Sequence, residues 1–374
     1  MKKIVILGMF AAGFVTVCYF TNFIRFPFST SQNDIDKMMS TPEVESKAKA
    51  ALLVNSGIAK FDSGDKKGAI TDFDQAITLN PNLAQAYGNR GVAKSKLGDK
   101  KGAIVDFNKV ISLNPKDALT YYNRGDAKDS LGDKKGAITD YDQAIILNPN
   151  YIEAYGNRGG VKDDLGDKKG ALSDYDQVIS LNPNDALAYY NRGGVKDDLD
   201  DKKGALSDYD QAITLDTKFV AAYYNRGVLR AKLGDKQGAI SDYTQVIALN
   251  PKLTESYFNR GDAKASLGDK KAAIADFSQV IFLDPKDTKA YFKRGVAKYE
   301  LGDKKESITD FDKSISLNPK DSDSYFSRGI VKHELGDSQG ALIDLKIAAT
   351  LFQQKGNTEM YEKLQKPIQI LERQ

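Results

Sequence analysis

The chain has 374 residues, with 54 Lys and Arg against 51 Asp and Glu, one His, one Cys and no Trp. A net charge of +3 lacks the basic surplus that marks a nucleic-acid binder. One thiol excludes an internal disulfide, and a lone His beside it excludes a His- or Cys-built metal centre.

Met1-Lys2-Lys3 precede an uncharged apolar run from Ile4 to Ile24, closed by Arg25. As a helix its 21 residues would span about 30 Å, the thickness of a bilayer core. Residues 1–27 are therefore expected to form a signal-anchor transmembrane helix, or a secretory signal cleaved near Ser29-Thr30-Ser31. Lys2 and Lys3 would stay cytoplasmic, so the remainder would be membrane-tethered or exported on the periplasmic or lumenal side. Cys18 lies inside this run, and Val17 before it is too large for a lipid-attachment signal. Residues 28–40 read as a polar linker. Thr41-Pro42-Glu43 is a helix start, with a capping hydroxyl, proline in the first turn and an acid nearby.

From here a 34-residue period takes over. Pro81, Pro115, Pro149, Pro183, Pro251, Pro285 and Pro319 share one phase, and Thr217 fills the single gap. Counting Pro81 as position 32 gives nine repeats, beginning at 50, 84, 118, 152, 186, 220, 254, 288 and 322. Position 8 is Gly in all nine and position 20 is Ala in eight, with Ser307 the exception. Position 4 is Leu53 and then always Tyr, and position 24 is aromatic until Leu345. Small residues let a first helix (A) pack closely on a second (B), and the large ones fill the space around them. Leu97-Gly98-Asp99 is the pattern that ends helix A and starts helix B, with Gly in the left-handed residue and Asp as cap. Asp200 replaces that Gly once. Asn80-Pro81 ends helix B, because the residue before proline avoids helical angles. One repeat cannot bury its apolar face, but nine stacked repeats can. Residues 41–355 are thus an all-α solenoid of helix-turn-helix repeats. Leu345 to Phe352 prolong the last B helix, and residues 356–374 form a capping helix after a turn at Gln353, Gln354 and Gly356. Pro367 is expected to kink or split that helix.

The length, the small and aromatic positions and the Tyr-x-Asn-Arg-Gly run at Tyr87 to Gly91 resemble the tetratricopeptide repeat (TPR) family, in a bacterial Asn-Arg-Gly form. The resemblance implies a right-handed superhelix whose concave face, lined by A helices, binds peptides or partner helices. It does not imply a ligand, because function lives in sites and not in folds.

Position 11 is basic in every repeat and position 7 is Arg from Arg90 to Arg328, while position 23 is Asp from Asp72 to Asp344. Positions 7 and 11 share one face of helix A. A periodic cation matched by a periodic acid reads as an internal ladder and not as an anion-binding row. Exposed pairs of this kind would each contribute about 0–1 kcal/mol.

The resemblance puts positions 2, 5, 9, 12 and 13 on the concave side. Repeats one and two offer Val54, Ile58, Phe61 and Val92 there. Repeats three to five offer Asp126, Asp129, Glu153, Asp163, Asp164, Asp197 and Asp198, with Tyr122 and Tyr190 among them and Tyr224 following. Repeats seven to nine offer Phe258, Phe292, Tyr299 and Phe326. Acids interleaved with rings suit a basic peptide. A carboxylate-clamping groove would need cations there instead. Lysines at positions 17 and 18, such as Lys100-Lys101 and Lys134-Lys135, make a second candidate surface along the A–B turns, suited to anionic lipid or self-association.

No phosphate-binding glycine loop, calcium loop or unequal carboxylate pair is present. His333, at position 12 of the last repeat, reads as a groove or surface residue. The expectation is a non-enzymatic interaction scaffold without cofactor. Its partner is a protein or basic peptide, with the membrane reached through the N-terminal segment and nucleic acid excluded.

Overall fold

In a computed structural model, residues 14–19, 22–27 and 41–373 are described. Near the N-terminus β1 (Phe14–Tyr19) pairs antiparallel with β2 (Asn22–Pro27), with Phe14 opposite Pro27 and Tyr19 opposite Asn22. The expected helix is corrected over these residues. Phe14-Val15-Thr16-Val17 and Phe23-Ile24 are β-branched and aromatic, the side chains that fit a pleated surface best. Among the described residues no helix is long and apolar enough to cross a membrane. The rest of the apolar run, Lys2 and Lys3, and the 28–40 linker lie outside the described residues.

The chain divides into two compact units, Met1–Pro183 and Asn184–Gln374. Unit one holds α1 (Pro42–Asp62), α2 (Lys66–Leu79), α3 (Ala84–Lys96), α4 (Lys100–Leu113), α5 (Ala118–Ser130), α6 (Lys134–Leu147), α7 (Ile152–Asp164) and α8 (Lys168–Leu181). Unit two holds α9 (Ala186–Asp198), α10 (Lys202–Leu215), α11 (Val220–Lys232), α12 (Lys236–Leu249), α13 (Thr254–Ser266), α14 (Lys270–Leu283), α15 (Thr288–Glu300), α16 (Lys304–Leu317), α17 (Ser322–Glu334), α18 (Ser338–Gln354) and α19 (Thr358–Leu371). Odd-numbered helices up to α17 are the A helices and even-numbered ones the B helices, nine pairs among the described residues, matching the repeats.

Local chemistry sets these boundaries. Pro42 opens α1, and the Thr41 hydroxyl accepts from Val44 N at 3.4 Å. Gly98 has φ 91, and Asp99 then caps α4 by accepting from Gly102 N at 2.8 Å. Asp200 takes the glycine's left-handed place at φ 66. The core forms where A crosses B. A Cβ at Gly91 would sit 2.7 Å from Phe107 Cε1, so only glycine admits the ring at that depth. Ala103 and Phe107 are fully buried beside it. Val54 is also fully buried, in the core of repeat one with Ala69 and Phe73, so this residue expected in the groove is interior, while Ile58 and Phe61 pack on that core and stay half-buried.

At the far end Leu364, Ile368 and Leu371 of α19 pack on Leu345, Ala348, Ala349 and Phe352 of α18. Two expectations change here. Gln353 and Gln354 complete α18 and the turn falls at Lys355-Gly356, and Pro367 sits inside α19 without splitting it.

Candidate functional site

The Arg–Asp ladder is internal and buried. In repeat two, Arg90 donates through Nε to Asp106 Oδ2 at 2.9 Å and through Nη2 to Oδ1 at 2.5 Å. Lys94 adds a contact to the same carboxylate at 2.9 Å. Asp106 is only 1% exposed, so this is no surface pair. The same geometry joins Arg124, Lys128 and Asp140, and Arg158, Lys162 and Asp174, in unit one. In unit two it joins Arg226, Arg230 and Asp242, and Arg328, Lys332 and Asp344. Repeat one has Ser56 where the others have Arg. Burial alone would raise the Asp72 carboxyl, but hydrogen bonds from Lys60 and Ser56 outweigh it and hold it below its ordinary value.

Two further partners of this arginine are not visible in the motif. Its third nitrogen, Nη1, reaches position 25 of the preceding repeat: Asp74 from Arg90, Asn108 from Arg124, Asp142 from Arg158, each at 2.6 Å. Each guanidinium also lies over the ring at position 4, Arg90 over Tyr87 at 5.4 Å. The arginines are therefore engaged on every side and offer no anion site. The signal was present as an acid or amide 16 residues before six of the eight arginines and a hydroxyl before Arg260 and Arg294, mirroring the Asp 16 residues after each.

On the A-helix face the position-5 aromatics are half-buried floor. In unit one Tyr122 packs on Tyr141 at 5.9 Å and Tyr151 at 5.0 Å between centroids. Its hydroxyl accepts from Asn157 Nδ2 at 3.0 Å, and the same amide donates to Asp126 Oδ1 at 3.1 Å. Burial, followed by the Asp126 charge, raises the Tyr122 phenol. Unit two repeats the device: Tyr190 packs on Tyr209 and Phe219, and Tyr224 on Tyr243, with hydroxyls accepting from Asn225 and Asn259. Phe258 packs on Phe277 and Phe292 on Phe311. Asn89 shows the rule by exception. The residue one repeat back is Val54, and its Nδ2 is buried without a partner.

The predicted acids divide. Asp126 joins the Tyr122 network. Asp129 and Glu153 have no ion-pair partner among the described residues, and Glu153 is exposed at the start of α7. Asp163 pairs with Lys168 at 2.6 Å, Asp164 pairs with Lys134, and in unit two Asp197 pairs with Lys202 at 2.7 Å. Asp198 is exposed beside it. These lysines are the position-17 residues, half-buried and turned toward the A-helix ends, while position 18 stays exposed. The two-residue lysine edge expected from the sequence is thus narrowed in these repeats, because an acid five residues back or 30 residues on captures Lys134, Lys168 and Lys202 while Lys135, Lys169 and Lys203 stay exposed. Lys270 with Glu300 and Lys304 with Glu334 follow the same path.

Tyr299 donates to Glu334 at 2.7 Å. Phe326 and exposed His333 line a pocket of about 490 Å³ between α17 and α19, together with Ile330, Met360, Leu364 and Pro367. Among the described residues no group of three or more His, Cys, Asp or Glu is placed to hold a metal ion.

Tetratricopeptide repeat models match residues 84–117, 118–151, 152–185, 186–219, 220–253, 288–321 and 311–343, and a TPR repeat model matches 57–98 and 261–302. The chain belongs to the tetratricopeptide repeat family. Among solved structures, it resembles the C-terminal part of a TPR repeat-containing protein from Cytophaga hutchinsonii. That match has 19% identity and a TM-score of 0.57, over 64% of this chain and 98% of that one. This likeness is one of fold. The MamA protein is 28% identical over 46% of this chain and 94% of its own, with a TM-score of 0.43. YrrB, described as a TPR protein with an unusual peptide-binding site, is 24% identical over 49% and 95%, with a TM-score of 0.46. No curated protein sequence matches.

Proposed function

We propose that the chain is a non-enzymatic scaffold that holds a basic peptide or partner helix on its A-helix face, in the cell envelope. The observation that carries this reading is in unit one. Asp126, Asp129, Glu153, Asp163 and Asp164 stand on or beside a floor of half-buried tyrosines. Among the described residues, Lys168 and Lys134 are the cations that answer them. Asp164 is 62% exposed in its pair, and such pairs contribute about 0–1 kcal/mol, so a ligand's cations can displace the lysine. Asp197 and Asp198 continue the acids into unit two. Lys2 and Lys3 ahead of the apolar run support the envelope location.

The test is affinity capture from envelope extract at low and moderate salt. The wild-type chain is compared with an Asp→Asn variant at 126, 129, 163, 164, 197 and 198. A protein held by wild type, weakened by salt and lost from the variant is expected; equal capture by both would sink the reading. The exposed position-18 lysines, such as Lys101 and Lys135, favour a second reading as a lipid-contacting edge. Co-sedimentation with anionic vesicles, lost on Lys→Gln at these positions, would support it.

A further inference from the structure

Repeat nine departs from the others where its A helix meets α19. In earlier repeats a position-5 ring rests on a position-24 ring, as Phe292 does on Phe311 at 6.0 Å. Position 24 of repeat nine is Leu345, and α18 runs 17 residues against 14 for α16. The pocket of about 490 Å³ between α17 and α19 opens at this place. Phe326 and Ile330 form one wall, Met360, Leu364 and Pro367 form the other, and Leu345 of α18 also lines it.

The apolar surface does not stop at the cavity. Ile370 at its rim is 51% exposed, and Pro367 is exposed as well. From Met360 to Leu371 the α19 wall runs about 16 Å, or three helical turns. An exposed apolar surface rimmed by polar side chains marks an interaction site. The rim is mainly cationic: Lys363 and Lys366 line it from α19, with exposed His333 on α17. Lys366 has no ion-pair partner among the described residues. Lys363 meets Glu359 in a pair whose side chains are both more than half exposed, which holds it weakly. The acid of the lining, Glu334, is already engaged by the Tyr299 hydroxyl at 2.7 Å and by Lys304 at 3.1 Å.

We propose that this trough binds an amphipathic helix of a partner protein, with its apolar side chains in the pocket and its acids against Lys363 and Lys366. Apolar side chains at i, i+4 and i+7 of such a helix match the length of the α19 wall. A single acyl chain could fill the cavity but would leave Ile370 and Pro367 uncovered, whereas a helix covers both. The site lies wholly within unit two and is opposite in charge to the acidic face, so it stands or falls separately from the basic-peptide reading.

The probes are two short fluorescent peptides of identical Leu, Glu and Ala composition, titrated into the full chain at low salt. One carries its leucines at i, i+4 and i+7 and the other has them scattered around the helix. Decanoate is the acyl-chain probe. Wild type is expected to bind the patterned peptide about tenfold tighter than the scattered one. Ile370→Glu puts an acid on the rim at an exposed position, so it should keep the melting temperature and remove that margin. Lys363→Gln with Lys366→Gln should weaken the patterned peptide about three- to tenfold and flatten its salt dependence. No binding of the patterned peptide, equal binding of both peptides, or an affinity untouched by both variants overturns the proposal. Binding of decanoate without either peptide would overturn it in favour of an acyl-chain site.

Discussion

Arg90 grips Asp106 with two nitrogens and extends the third to Asp74, so one guanidinium ties helix A to helix B and one repeat to the previous one. Removing one member of a buried pair strands a desolvated charge and costs about 3–5 kcal/mol. Arg90→Ala is therefore expected to lower stability by that order in chemical denaturation. Replacing the whole group, as Arg90→Met with Lys94→Met and Asp106→Leu, should cost less than the single change, because no buried charge is left behind.

Asp200 is the one non-glycine residue with positive φ among the described residues. A side chain in that region is strained by about 1–2 kcal/mol, less for Asp. Its ion pair with Lys202 at 3.3 Å is exposed and weak. Asp200→Gly should raise stability by about 0.5–1 kcal/mol, read as an upward shift of the denaturation midpoint.

Gly91→Ala would place a methyl 2.7 Å from the Phe107 ring. Overpacking of this kind costs about 1–3 kcal/mol. The same change at Gly98 acts differently: nothing lies within 4 Å, and the cost comes from φ 91. Pairing Gly91→Ala with Phe107→Leu should rescue the first and leave the second untouched.

The Asp72 carboxyl is held below its ordinary value, so the folded state favours its charged form. Its stabilising contribution is complete above the unfolded value near 3.8 and is lost as pH falls through the lower folded value. Ser56→Ala removes one of the two hydrogen bonds responsible, so the folded value should rise toward 3.8. An NMR titration of the Asp72 carboxyl in both chains would measure it.

The repeat phase, the Gly and Asp of the A–B turns, and the charge ladder were all legible because they recur at one spacing. Asp200 in the left-handed region followed from glycine's absence at a fixed position. What was not legible depends on contacts between helices rather than along them. The position-25 partners of the arginines, the inward turn of Lys134 and Lys168, and the asparagine grip on Tyr122 all cross from one helix to another. Val54 was misplaced for the same reason, since one stripe of helix A faces both the next repeat and the open face. At Phe14 to Pro27, apolar length spoke for a helix, whereas β-branched and aromatic content spoke for strands.

The third nitrogen of each arginine does not meet the same group everywhere. In unit two Arg226 and Arg328 find the carboxylates of Asp210 and Asp312, while Arg260 and Arg294 find only the hydroxyls of Thr244 and Ser278. In an array where each repeat leans on its neighbours, uneven couplings set where cooperativity breaks. Repeats six to eight are then the weak links of unit two. Amide protons of α13 and α15, which carry Arg260 and Arg294, should exchange through local openings before those around Arg328. Pulled from its ends, unit two would part at hydroxyls and hold at carboxylates.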